Sequence, residues 1–352
     1  MFGMVETLID KPAKWLEGSG PEAATVVFSQ GSLVRNLADY PFPGRCNDED
    51  LRTAEERILT ALESAGLLSQ GQYYSLPEAS KREAQFFLER QLINEALLHG
   101  RGARGVFVSD EQSLSIMVNE ANHLRITATA SGLDLDAIWT RLSAAEKTLA
   151  NSLDFAFEDR LGYLTAALGQ VGTGLILNAV THLPALARLG RVLGLEQRIR
   201  DQRHVLQALF GSINEPVGDL YRVSNQATLG RSEEEIVYHL RHITRDILKE
   251  EQEARNTMIE EGRLTLEDRV NRALGSARGA RLLELGEALD ILSSLRLGHA
   301  TGYLEGFTCR KLNELLIEAQ PAHLELRQGS QEGCDELTLS VARANLYRTQ
   351  LT

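Results

Sequence analysis

Apolar residues recur at helical spacing from Asp48 to Leu68, where Leu51, Ile58, Leu59 and Leu62 fall on one face. A second helical pattern opens near Pro77-Glu-Ala-Ser, passes through Phe86, Phe87 and Leu88 to Leu98, and stops at Gly100. Upstream, Thr25-Val-Val-Phe28 reads as a short strand and Tyr40-Pro-Phe-Pro-Gly44 as a rigid turn or extended segment. Between Gly105 and Thr129 the period drops to two. Val106-Phe-Val-Ser and Leu114-Ser-Ile-Met-Val118 are rich in strand formers, and His123-Leu-Arg-Ile-Thr-Ala alternates polar with apolar. Short strands parted by turns predict an antiparallel meander rather than βαβ units. Leu135 to Leu153 returns to helix, and a strand-and-turn region follows near Tyr163-Leu-Thr-Ala.

Ser232-Glu-Glu-Glu235 is a capping box that opens a helix through Ile236, Leu240, Ile243 and Ile247. From about residue 250 the pattern is almost entirely helical. Leu282, Leu285, Leu289, Leu292 and Leu295 mark an apolar stripe, with Gly298 as its expected stop. The pattern predicts an α+β fold: an antiparallel sheet flanked by helices over residues 1–250, then a helical domain over 251–352. The boundary is expected near residues 248–262, in the charged stretch Lys249-Glu-Glu-Gln-Glu-Ala-Arg.

Composition adds limits rather than detail. A chain of 352 residues with 43% hydrophobic and 24% charged residues can bury a sizeable core. No apolar run approaches the ~20 residues of a membrane span. The opening Met1-Phe-Gly-Met-Val-Glu-Thr-Leu-Ile contains Glu6 and lacks the basic start of a signal peptide, so a cytoplasmic protein is expected. Cys46, Cys309 and Cys334 are widely spaced without a C-x-x-C pair, which argues against a disulfide framework and a zinc site. His239 and His242 lie three apart on a predicted helix, but no third ligand accompanies them, so no metal site is expected. The formal charge of −12 argues against nucleic-acid binding and makes a basic or arginine-rich partner the more natural ligand.

Candidate chemistry comes from motifs. Arg35-Asn-Leu37 precedes Tyr40-Pro-Phe-Pro43, and Asp110-Glu-Gln-Ser-Leu-Ser-Ile-Met-Val-Asn-Glu120 precedes His123-Leu-Arg-Ile126. Leu161-Gly-Tyr-Leu164, Val171-Gly-Thr-Gly174, His182-Leu-Pro-Ala-Leu186, Gly218-Asp-Leu-Tyr221 and Val223-Ser-Asn-Gln-Ala-Thr-Leu-Gly230 follow in order. In these strings the chain resembles the ATP:guanido phosphotransferase (phosphagen kinase) family, and most closely its bacterial protein arginine kinase branch. Leu295-Arg-Leu-Gly298 further resembles the helical C-terminal domain of that branch. The resemblance implies ATP with magnesium as cofactor and phosphoryl transfer to a guanidinium. Such transfer depends on aligning the reactants and neutralising phosphate charge, with a carboxylate beside the guanidinium.

The departures fall on the residues that would do this work. Where the family carries Ser-Ser-Arg-x-Arg, the chain reads Phe28-Ser-Gln-Gly-Ser32, so Gln30 and Ser32 replace phosphate-binding arginines. Gln91 replaces the histidine of Lys-His-Leu-Ile, and Ala121, followed by Asn122, replaces a catalytic carboxylate, while Glu120 and Arg125 remain. Ala167 stands where the family's reactive cysteine is expected, and Ile176 where another phosphate arginine would be. In the loop Gln207-Ala-Leu-Phe-Gly-Ser212, Gln207 replaces an arginine and Ser212 the second carboxylate. Of the arginines that such kinases place around phosphate, only Arg125 matches, and losing one preorganised donor commonly costs roughly 10²–10³-fold in rate.

The expected function is therefore a catalytically impaired, binding or regulatory relative in protein quality control. The alternatives are an active ATP-dependent protein arginine kinase with a rebuilt site, and a structural protein whose helical domain supplies a homodimer contact. Expected partners are proteins, arginine-rich or arginine-phosphorylated, with Clp-type machinery by family analogy. Arg35 is expected to be structural, Gly172-Thr-Gly174 a tight packing turn, and Asn119 with Glu120 the fixing point of a turn between strands. In Leu339-Ser-Val-Ala-Arg-Ala344, Arg343 matches the branch's phosphoarginine-docking motif, but the leading Arg-Asp pair does not.

Overall fold

The computed structural model describes residues 4–329 and 333–351; the part of the leader reading that concerns the first three residues lies outside them. Before the middle of the chain come β1 (Val26–Arg35), β2 (Gly71–Ser75), β3 (Gly105–Ser109), β4 (Leu114–Val118) and β5 (Leu124–Ser131). A short hairpin, β6 (Phe157–Glu158) with β7 (Gly162–Tyr163), stands apart. The main sheet is completed by β8 (Leu175–His182), β9 (His204–Ala208) and β10 (Leu220–Asn225). Its order is β2-β3-β4-β5-β1-β8-β10-β9, antiparallel throughout. The expected meander is present as β2 to β5. The strand read at Thr25–Phe28 is in fact ten residues long and holds the centre, between β5 and β8.

The helices of the first half are α1 (Glu6–Ile9), α2 (Asp48–Ser64), α3 (Lys81–Glu89), α4 (Glu95–Leu98) and α5 (Leu135–Leu149). The helix expected from Pro77 to Leu98 is two helices. Ser80 and Glu83 form a capping box that starts α3, Gln91 then takes a left-handed φ of 61°, and Asn94 caps α4 afresh. One face of the sheet is closed by α5. Gly31 in β1 lets it approach, since a Cβ there would stand 2.5 Å from Ile138 and 3.0 Å from Leu142.

The later helices are α6 (Pro184–Arg188), α7 (Val192–Asp201), α8 (Glu233–Gly279), α9 (Leu285–Ala300), α10 (Cys309–Glu318), α11 (Pro321–Gln328) and α12 (Glu336–Gln350). The charged stretch read as a boundary is helix, and α8 runs through it with a kink at Gly262 (φ −152°). Inside that stretch Glu251 and Arg255 form a buried pair at 2.7 Å; Glu251 accepts the N–H groups of Ala185 and Leu186 and Arg255 reaches the carbonyl of His182. α9 passes Gly298 and ends at Thr301, while Leu282 lies outside it and is exposed. A second core joins Trp15, Phe28, Val180 and Leu220 to Leu289, Leu292, Leu312 and Tyr347, so the C-terminal helices cover one end of the sheet.

Candidate functional site

The sheet face opposite α5 carries the positions that the motifs single out. Strand register sets them in rows: Thr127, Ser32 and Ile176; then Thr129, Gln30, Asn178 and Ser224; then Ser131, Phe28, Val180, Arg222 and Gln207. Gln30 and Ser32 therefore do point to one surface, as residues two apart on a strand must. They are engaged with neutral partners. Ser32 and Thr127 share a hydrogen bond of 2.9 Å, and Gln30 Nε2 donates to the Gln91 carbonyl (3.0 Å) and Thr129 Oγ1 (3.2 Å). Ile176 adds an apolar side chain beside Ser32.

Arg125 lies on the same face, one row beyond Thr127. Its guanidinium is paired with Glu120. Arg125 Nε donates to Glu120 Oε2 and Arg125 Nη2 meets Glu120 Oε1, each at 3.2 Å, while Asn94 Nδ2 donates to Glu120 Oε1 at 2.6 Å. Asn119, at φ 54°, holds the turn before them by donating to the carbonyls of Leu51 and Ala103.

Ala121 opens on a cavity of about 940 Å³ walled by Tyr40, Phe42, Arg45, Arg101, Glu120 and Ala166 among others. Buried polar residues follow Ala121 in the chain. Asn122 Oδ1 accepts from Asn36 Nδ2 and from the backbone N–H of Ala166, both at 2.8 Å, tying the loop of Ala167 to β1. His123 accepts the Leu37 N–H at Nδ1, and burial pushes its pKa down to about 4, so the ring is neutral. Arg101 reaches the Cys46 carbonyl and Asp48. Ala167 is exposed and accepts from Thr165 Oγ1 at 2.8 Å.

The remaining positions lie outside this cavity. Gln207 and Ser212 border a separate cavity of about 460 Å³ beside α7, which shares no lining residue with the first. Gly172 and Gly174, both at positive φ, pack their turn against Thr228 and Arg35, and Gly172 and Thr173 border a shallow cavity of about 290 Å³ with Arg160 and Arg231. Arg35 is buried, 2.5 Å from Glu146, and lies 3.4 Å over the Tyr163 ring. Arg343 is buried inside the C-terminal helices, where it donates to the carbonyls of Ala319 and Leu283 and to Glu336. His239 and His242 are exposed on α8, where Tyr238 stacks on His242.

Motif reading leaves Arg222 without a place, because it falls between the strings Gly218–Tyr221 and Val223–Gly230. The signal that marks it is alternation. Tyr221 and Val223 are buried on the α5 side, so Arg222 and Ser224 must share the face of Gln30 and Asn178.

Comparison with known proteins agrees with this geometry. Residues 53–254 match the family described as ATP:guanido phosphotransferase, C-terminal catalytic domain, and residues 263–352 match the protein-arginine kinase McsB C-terminal domain. The chain is 38% identical to a protein-arginine kinase of Symbiobacterium thermophilum, with all of both chains covered. It is 36% identical to a protein-arginine kinase of Moorella thermoacetica over 92% of this chain and 93% of the other. Among solved structures it resembles the duplicated taurocyamine kinase from Schistosoma mansoni with bound transition state analog components. There the TM-score is 0.59 and the identity 25%, over 67% of this chain and 33% of the other. Lombricine kinase shares the fold at a TM-score of 0.57 and 23% identity, over 72% of this chain and 73% of the other. The chain belongs to the ATP:guanido phosphotransferase family, in its bacterial protein-arginine kinase branch.

Proposed function

We propose that this family member acts by binding protein partners and does not transfer phosphate. The observation that carries this reading is the state of the motif face. Gln30, Ser32 and Thr127 are closed by neutral hydrogen bonds, Ile176 is apolar, and the retained Arg125 is ion-paired with Glu120. ATP with magnesium is the family's co-substrate, but the residues present do not fit a triphosphate, whose several charges need concentrated cations. The cavity beside Ala121 remains, lined by Glu120 and the Tyr40–Phe42 turn. An arginine side chain of a partner protein, free or phosphorylated, suits its mixture of aromatic and charged walls. By family analogy the partner belongs to cytoplasmic protein quality control around Clp-type machinery. We place the division of labour at residues 1–250, which carry the cavity, and 251–352, the helical unit.

A second reading is an active protein arginine kinase with a rebuilt site. The names of the relatives, at 36–38% identity over nearly the whole chain, favour it more directly than they favour the first. One assay separates the two. Incubation with magnesium and ATP labelled at the terminal phosphate, with an arginine-rich protein as acceptor, is expected to give no acid-labile label on arginine. Label accumulating in proportion to enzyme would establish the second reading.

A further inference from the structure

Arg222 is the one charged side chain in the rows from Ser32 to Phe28, and it is partly buried, beside Val180 of β8 and Gln207 of β9. Its only hydrogen bond among the described residues runs from Nη2 to Gln91 Oε1 at 3.0 Å. Among the described residues no carboxylate pairs with it, and its Nε is buried without a partner. Beside it, one step along β8, Asn178 is nine-tenths buried and its Oδ1 also lacks a partner. A buried guanidinium with no counter-charge is costly, and burial accordingly lowers its pKa. Two neighbouring polar groups left open on one face leave bonding capacity that a ligand can complete.

We propose that Arg222, with Asn178 and Gln91, forms an oxyanion subsite that takes a single phosphate-type group. The guanidinium offers a planar fork of donors matched to two oxygens of such a group. The Asn178 amide can turn its NH₂ to a third oxygen, since the two ends of an amide are interchangeable within the same space. Gln91 holds the fork from the side through Oε1, and its left-handed backbone fixes that oxygen's place. One cation supports one such group and not a chain of three. The assignment does not depend on whether the protein transfers phosphate. The group comes either from a small free phosphate or from one phosphate of a nucleotide.

Calorimetric titration of the full chain with inorganic phosphate, and separately with ATP in the absence of magnesium, tests this at fixed ionic strength. Saturable phosphate binding is expected, weakened at least about tenfold in Arg222→Gln. An ATP affinity equal to that for phosphate marks the free anion as the source; a higher ATP affinity that Arg222→Gln abolishes marks the nucleotide. Equal binding by wild type and Arg222→Gln, or no binding of either ligand by wild type, overturns the proposal. Should Arg222→Gln misfold, hydrogen exchange on the wild-type chain decides instead. Phosphate should slow exchange at residues 220–225, and an unchanged profile there also overturns it.

Discussion

Arg125 and Glu120 are charged residues that the motif keeps, and in the structure they pair with each other while Asn94 also donates to Glu120. Sequence offers a pairing of Arg125 with Glu120 or another acid as one reading, but not its geometry, because their separation across a turn is set by the left-handed Asn119. The losses at Ala121, Ala167 and Gln30 were legible at once, since motif positions are local. Arg222 was not, because its meaning depends on three strands lying side by side. Arg35 shows how a single residue's role can be weighed. It has Glu146, two backbone carbonyls and the Tyr163 face as partners, whereas Glu146 is partly exposed. Arg35→Leu should lower unfolding free energy by about 3 kcal/mol in urea titrations, the lower end for breaking a buried pair. Glu146→Gln should cost clearly less, because Arg35 keeps its other contacts. Equal costs for the two variants would mean that the ion pair alone carries the residue.

At the level of elements, helical periodicity located most helices but misplaced their ends. The pattern from Pro77 to Leu98 gave no hint of a break, because the left-handed turn at Gln91 is held by the tertiary bonds to Gln30 and Arg222. Gly298 was read as a stop and is instead a packing position. A Cβ there would lie 2.6 Å from Val270 Cγ1 and 3.2 Å from Leu304 Cβ, so the glycine lets α9 approach α8. Two effects oppose each other in Gly298→Ala. Helix propensity would favour alanine by about 1 kcal/mol, and overpacking against a stiff, buried valine costs about 1–3 kcal/mol. The clash should win, giving net destabilisation in chemical denaturation. In a Val270→Ala background the same change should become stabilising, and failure of the sign to reverse would place the glycine's role elsewhere.

At the scale of the whole molecule, two of the contacts that tie the first half of the chain to the C-terminal helices have no local signature in sequence. One is the shared core of Trp15, Phe28 and Leu289; the other joins α3 to α11. In the latter, Glu89 accepts the N–H groups of Ala322 (3.0 Å) and His323 (3.3 Å) and faces His323 Nδ1 at 2.7 Å, while Arg90 Nε donates to His323 Nε2 at 3.0 Å. Burial raises Glu89 to about 7 and drives His323 well below its usual value, with the Arg90 charge adding to the second shift. Between about pH 4.5 and 6.5 the unfolded chain holds one proton on this pair, on histidine. The folded chain also holds one, on Glu89, so the pair adds almost no pH dependence in that window. Glu89→Gln removes the compensation. The folded variant then carries no proton while the unfolded histidine still gains one, so stability must fall as pH drops from 7 to 5, by up to about 1.4 kcal/mol per unit. Urea unfolding of wild type and variant at pH 7, 6 and 5 should therefore give curves that diverge toward acid, and parallel curves would show that the pair does not share its proton in this way.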